Sequence, residues 1–213
     1  MSYAVKEMFL TLQGEGIQAG RRAVFLRFTG CNLWSGREAD RASAVCQFCD
    51  TDFVGTDGEN GGRFARADEL AAAAARLWGA ESGPRFVVVT GGEPMLQLDS
   101  AAVAALHAVG FEIAVESNGT LPATPDIDWL CISPKAGSDV VQRAGGELKL
   151  VWPQAGIDPA TLLDWDFEHF LVQPMDCGEE SANAAAREAA IALVMNDSRW
   201  RLTLQTHKLL GLK

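Results

Sequence analysis

This chain is short of cysteine, histidine, tyrosine and basic charge. Its 213 residues include five Cys, three His and one Tyr, and 18 Lys and Arg stand against 28 Asp and Glu, for a net charge of −10. An acidic chain lacks the cationic field that a nucleic-acid backbone needs, so nucleic acid is not an expected partner. No apolar stretch approaches the length of a membrane span, so a membrane is not expected either. With so few Cys and no secretory leader pattern, a disulfide-stapled scaffold is not expected. The expected location is the cytoplasm, where thiols stay reduced. What is present is an apolar fraction of 48%, enough for a real core, and a length that fits a single domain over residues 1–213.

Three of the five Cys gather in one stretch. Cys31 closes the apolar run Ala23-Val24-Phe25-Leu26-Arg27-Phe28, which reads as a buried strand, and Cys46 and Cys49 are separated by two residues. The fourteen residues between Cys31 and Cys46 are mostly polar or small and read as a loop returning the chain to the same place. Three thiolates can hold three irons of a [4Fe–4S] cluster and leave the fourth iron open for chemistry. A structural zinc site is the alternative. Its fourth ligand would be Cys131, Cys177 or a His, none of which sits at zinc-like spacing.

Near the start, Gly14-x-Gly16-x-x-Ala19 formally matches a dinucleotide fingerprint. That motif needs a helix directly after the glycines, and Arg21-Arg22 and a strand follow instead. The glycines are expected to form a hairpin turn or let backbone approach a ligand. Phe53 to Arg66 reads as irregular. Asp68 is expected to cap a helix through Leu77-Trp78 that Pro84 breaks. Phe86 to Val89 reads as a strand buried on both faces, Asp99 to Val109 as a helix stopped by Gly110, and Phe111 to Val115 as a strand. Trp129 to Ile132, Leu148 to Trp152, His169 to Val172 and Trp200 to Leu204 are further strands. Asp158 to Trp165 and Ala182 to Met195 are helices.

Polar or glycine residues gather at the C-terminal ends of these strands: Thr29, Thr90, Glu116, Ser133, Gln173 and Gln205. In a parallel α/β barrel those ends form the active face. The connections Asn118–Trp129 and Lys135–Gly146 are poor helix material, so the pattern predicts a partial, eroded (β/α) barrel. A doubly wound open sheet would show similar strands.

The three Cys with Gly91-Gly92-Glu93-Pro94 resemble the radical S-adenosylmethionine (SAM) superfamily. The usual Cys-x3-Cys-x2-Cys spacing keeps its second gap here, and the first is stretched to fourteen residues. Leu12-Gln13-Gly14-Glu15-Gly16, Asp50-Thr51, Thr90 to Pro94, Ser133-Pro134-Lys135 and Gln173-Pro174-Met175-Asp176 together resemble the 7-carboxy-7-deazaguanine synthase family, from Tyr3 to the C-terminus. The resemblance implies a radical SAM barrel with an expanded cluster-binding loop at about 31–51. It implies ring contraction of 6-carboxy-tetrahydropterin to 7-carboxy-7-deazaguanine with loss of ammonia, toward queuosine and related deazapurines. Cys31, Cys46 and Cys49 would carry the cluster and Thr51 would ligate Mg²⁺. The SAM pocket would use Phe48, Cys49, Asp50, Gly92, Glu93, Ser133, Pro134, Lys135, Gln173, Pro174, Met175 and Asp176, with Glu116 and Asn118 as lesser candidates. Leu12, Gln13, Gly14, Glu15, Arg27, Thr90 and the terminal Lys213 would meet the pterin. Arg27 suits its carboxylate because a guanidinium binds both oxygens. A homodimer and a flavodoxin or ferredoxin electron donor are also implied.

Taken singly, each of these residues has a plainer reading. Arg27 could form a buried pair, Lys135 could be solvated and Thr51 could be a turn residue. Cys131 and Cys177 read as packing thiols, His107 as structural, and His207 as a lesser site candidate. The tryptophans read as core or subunit contacts. Two other functions fit parts of the pattern: a different radical SAM enzyme, such as a glycyl-radical activase, and a non-catalytic metal module.

Overall fold

A computed structural model describes residues 2–213. Nine strands form one sheet in the order β3-β1-β2-β4-β5-β6-β7-β8-β9. They are β1 (Tyr3–Leu12), β2 (Arg22–Phe28), β3 (Gly62–Phe64), β4 (Arg85–Gly91), β5 (Phe111–Ser117), β6 (Trp129–Ile132), β7 (Ala144–Trp152), β8 (Asp166–Pro174) and β9 (Trp200–Leu202). The helices are α1 (Ala67–Trp78), α2 (Ser100–Ala108), α3 (Pro159–Leu162), α4 (Glu180–Asn196) and α5 (Thr206–Leu210). β1 runs antiparallel to β2 and β3, and every pairing from β2 to β9 is parallel.

From β4 onward the strands stand in chain order with no reversal, which separates this fold from a doubly wound sheet, whose order turns back at a switch point. Right-handed crossovers without reversal put the helices on one face. α1 packs on α2, β1 and β2; α2 packs on β5; α4 packs on β8 and β9. The sheet is therefore a curved, unclosed barrel. No helix joins β5 to β6 or β6 to β7, as expected from those two connections.

The apolar core lies between sheet and helices. Leu26, Val87, Val89, Val115, Leu70 and Leu106 are fully buried in one cluster. Leu148, Leu150, Val172 and Trp200 anchor a second around β6 to β9. Each such side chain contributes about 1.5–3 kcal/mol by leaving water.

Several local readings change. Asp68 does not cap α1. Arg66 occupies the cap, and Asp68 sits in the first turn, where its charge favours the helix dipole. α1 ends at Gly79, with φ +80°, before Pro84. β3 forms inside the stretch expected to be irregular, because the outer edge of β1 supplies a partner for three residues. The last strand stops at Leu202.

Candidate functional site

A cavity of about 450 Å³ opens at the C-terminal ends of the parallel strands. Register explains part of its polar lining. Arg27 on β2 lies beside Thr90 on β4, and Glu116 on β5 shares their face with Cys131 on β6 and Glu147 on β7, which lie just behind the wall. Side chains alternate along each strand, so the neighbours of these residues face the helices.

The thiols occupy one end. Gly30, with φ +85°, turns the chain out of β2. The loop returns when the Val45 and Cys46 N–H groups donate to the Leu33 carbonyl at 3.1 and 3.3 Å. Arg41 braces it, donating to the carbonyls of Gln47 and Cys49 at 3.0 and 3.1 Å with its guanidinium 4.1 Å over the Trp34 ring. Trp34 meets Phe53 edge-on at 5.6 Å. These contacts give the loop a small core of its own.

Cys31, Cys46 and Cys49 line a smaller cavity of about 50 Å³ with Gly92, Asn118 and Lys135. A hydrogen bond with Cys46 lowers the Cys49 thiol to about 6, while the same bond and burial push Cys46 up. Gly92 has no room for a side chain, since a Cβ there would strike the Gly30 carbonyl and lie 2.7 Å from the Cys31 Cβ. Three sulfur donors around a space kept clear by a glycine fit a [4Fe–4S] cluster with one open iron.

Next to the thiols lie Phe48, Asp50, Thr51, Ser133, Lys135, Gln173, Pro174 and Asp176, all on the larger cavity wall. The Lys135 ammonium donates to the Ser133 carbonyl and hydroxyl at 2.8 and 2.6 Å, 5.8 Å from the Phe48 ring. Burial lowers its pKa, which the nearby Cys46 opposes. Lys208 bridges Asp50 and Asp176 at 2.7 and 2.6 Å across the mouth. The buried Gln173 side-chain amide oxygen has no hydrogen-bond partner, so a polar acceptor is left free on β8.

The opposite end carries Leu12, Gln13, Glu15, Arg27, Thr90 and Lys213. Arg27 donates to Glu7 at 2.9 Å, and Lys213 reaches the other Glu7 oxygen at 2.6 Å. Burial works against the Glu7 charge, but Lys213 and Arg27 hold its carboxyl below the usual range. Arg27 thus makes the pair its plainer reading foresaw while still lining the cavity. Glu15 and Gln13 are not solvent-facing. Glu15 pairs with Lys149, and Gln13 donates to Glu116 at 2.9 Å.

Five expected residues do not line the larger cavity: Cys31, which lines only the smaller one, and Glu93, Pro134, Met175 and Gly14. Glu93 is fully buried and accepts from Met95 N–H, Ser117 hydroxyl and Asn118 N–H at 2.9, 2.9 and 2.8 Å. It ties the end of β4 to the end of β5. Pro134 is buried behind Lys135. The Met175 N–H donates to the Trp152 carbonyl at 2.8 Å. Gly14 packs against His207, and its carbonyl accepts from Thr206. The lining also includes Lys6, Glu7, Lys149, Gln205, His207 and Lys208, none of them expected site residues except His207. A signal for Lys149 exists: Glu147 and Lys149 interrupt an apolar strand at alternate positions, which marks one face as polar.

Comparison with known proteins agrees with this geometry. Residues 40–147 match the profile of the radical SAM superfamily. The match begins inside the cysteine loop, beyond Cys31. The fold, the three thiols and this match place the chain in that superfamily. It is 61% identical to the 7-carboxy-7-deazaguanine synthase of Caulobacter vibrioides and 58% identical to that of Bordetella pertussis, each over 212 residues and the full length of both chains. The crystal structure of QueE from Escherichia coli superposes with a TM-score of 0.71 at 26% identity, covering 96% of this chain and 94% of that one. The chain therefore belongs to the 7-carboxy-7-deazaguanine synthase family. Family membership implies a [4Fe–4S] cluster and SAM. Neither a glycyl-radical activase nor a zinc module is favoured by these likenesses.

Proposed function

We propose that this chain converts 6-carboxy-5,6,7,8-tetrahydropterin to 7-carboxy-7-deazaguanine with loss of ammonia. One observation carries the reading: Cys46 and Cys49 share the lining of a 450 Å³ cavity with a guanidinium and hydrogen-bonding side chains, and Cys31 joins them around the smaller cavity. A redox cofactor and a carboxylated heterocycle can therefore meet in one enclosed space.

Cys31, Cys46 and Cys49 would hold the cluster as thiolates, and when bound the cluster and SAM supply the one-electron chemistry. Gly92 lets SAM approach β4, and Glu93 keeps that strand end in place. Phe48 gives a flat apolar surface for adenine. Asp50, Ser133, Lys135 and the Gln173 to Asp176 stretch offer the polar contacts, with Pro134 and Met175 fixing their backbone. Arg27 would take the pterin carboxylate by exchanging its bond to Glu7. Thr90, Leu12, Gln13 and Glu15 would orient the ring, with Lys213 beside them on the cavity wall and Gly14 holding the turn. Thr51 would be the protein's ligand to Mg²⁺, with substrate and water completing the shell.

The reading extends to one domain over 1–213, a homodimer, a flavodoxin or ferredoxin donor, and a cytoplasmic site of action. Among the described residues no helix is long and apolar enough to cross a membrane. The test is anaerobic reconstitution with iron and sulfide, reduction, and addition of SAM, Mg²⁺ and 6-carboxy-tetrahydropterin. Mass spectrometry is expected to find 7-carboxy-7-deazaguanine only with cluster and SAM present. SAM cleavage without this product would remove the substrate assignment.

A further inference from the structure

Lys149 is a buried ammonium, 4% exposed, on the cavity side of β7. A cation is kept in such a place only when paired. Its partners come from elsewhere in the chain. It contacts Glu15 from the β1–β2 turn and lies 3.4 Å from Glu116 on β5. The other oxygens of both carboxylates are also held. Gln205 donates to Glu15 at 3.0 Å and Gln13 donates to Glu116 at 2.9 Å.

The same strand fixes the turn itself. Glu147 accepts from the Ile17 N–H at 2.7 Å. Gly16, with φ +71°, has no space for a Cβ because the Glu147 carboxylate fills it. Thr203 accepts from the Gly16 N–H at 2.9 Å. β7 therefore clamps the turn through Glu147 and aims Glu15 through Lys149. Cys131 on β6, His207 on α5 and Lys135 just after β6 are the other titratable groups near this cluster. Glu15, Glu116 and Glu147 surround one ammonium, so carboxylates outnumber it on this wall, while Arg27 lines another part of the cavity.

The two carboxylates offer acceptors and no donors, which suits a ring edge rich in N–H groups. We propose that Lys149 is a positioning residue: it holds Glu15 and Glu116 as an aimed carboxylate pair for the N–H edge of an aminopyrimidinone ring. The assignment rests on the pterin reading above and names how that ring is told from its analogues. A buried site built to accept N–H donors rejects an analogue lacking one, because its own acceptors are left unpaired.

The test uses the reconstituted holoenzyme with SAM, titrated with 6-carboxypterin and with 6-carboxylumazine, whose 2-amino group is replaced by oxygen. Ligand fluorescence reports binding. Wild type is expected to prefer 6-carboxypterin at least tenfold. Lys149→Met is expected to lose that preference and to bind 6-carboxypterin at least tenfold more weakly, with iron content unchanged. Lys149→Arg is expected to restore most of the preference. Retained preference in Lys149→Met overturns the proposal, as does wild type binding both ligands equally or neither. If Lys149→Met does not fold, the double variant Glu15→Gln, Lys149→Met removes one of the two carboxylate charges left without the ammonium, and retained preference there also overturns the proposal. Selective binding in a wild type that forms no product would sink the proposed reaction and leave the Lys149 assignment standing.

Discussion

The two ends of the cavity are built by opposite means. The three thiols lie within nineteen residues of one another, on a loop whose regular structure is one short 3₁₀ helix, Glu38–Ser43. The carboxylate wall uses Gln13, Glu15, Glu116, Lys149 and Gln205, contacts that span 33 to 190 positions of sequence. A loop suffices at the first end because a bound cluster cross-links its own ligands. Recognition by hydrogen bonds has no such cross-link, so the second end depends on strands already locked by packing.

The largest effect expected of breaking this contrast is at the thiols. Cys49→Ala is expected to abolish iron uptake and SAM cleavage together, since two thiols leave the cluster under-ligated; iron and sulfide analysis reads this directly. Retention of both would refute the ligand assignment. Next is Gly92→Ala. Its methyl group meets the Gly30 carbonyl, and the resulting shift of roughly an ångström is expected to lower turnover on the order of 10²-fold. A kinetic comparison showing unchanged turnover would mean the backbones do not need to meet there.

Arg27→Ala acts on the opposite end alone. Pterin affinity should fall by about one to two orders of magnitude, the scale of a charged hydrogen-bond pair, with cluster loading intact. Equal affinity in variant and wild type would leave Arg27 as the partner of Glu7 and nothing more.

The smallest effect belongs to the bridge over the mouth. Lys208, by hydrogen bonding, holds the Asp176 carboxyl down from 3.8 to about 2. A depressed carboxylate stabilises the fold above its ordinary value, and that contribution fades as pH falls through the window from about 4 to 2. Both partners are about one-third exposed, so the bridge contributes little. Lys208→Ala should melt slightly lower than wild type above pH 4, more so at low salt, and the gap should close near pH 2. A gap that persists at pH 2 would point to lost packing of α5 instead.

Much of the fold was legible because its signals are local. Phe86 to Val89 is apolar at every position, and the structure buries all four on β4. Asp99 before an alanine-rich stretch marked α2, where its side chain accepts from the Ala102 N–H at 2.9 Å. The poor helix material after Asn118 and Lys135 marked the erosion of the barrel. β3 was not legible, since three residues carry no pattern and their strand exists only because β1 has a free edge. The cap of α1 was misread because Asp68 can serve a helix from its first turn as well as from its cap.

The site divides along the same line. Cys31, Cys46, Cys49 and Gly92 are recognisable from spacing and residue type, because thiol chemistry and a missing side chain are properties of the residues themselves. Lys149, Glu147 and Lys208 acquire meaning from partners that chain order does not place beside them. Order and composition were enough to establish an α/β chain with its polar residues at the strand ends and three clustered thiols. Which carboxylate meets which ammonium, and that Glu93 turns inward to hold two strands together while Glu15 is drawn onto the cavity wall, depended on the curvature of the sheet. Bending the parallel strands brings the β1–β2 turn against β7, and no local preference of the chain encodes that meeting.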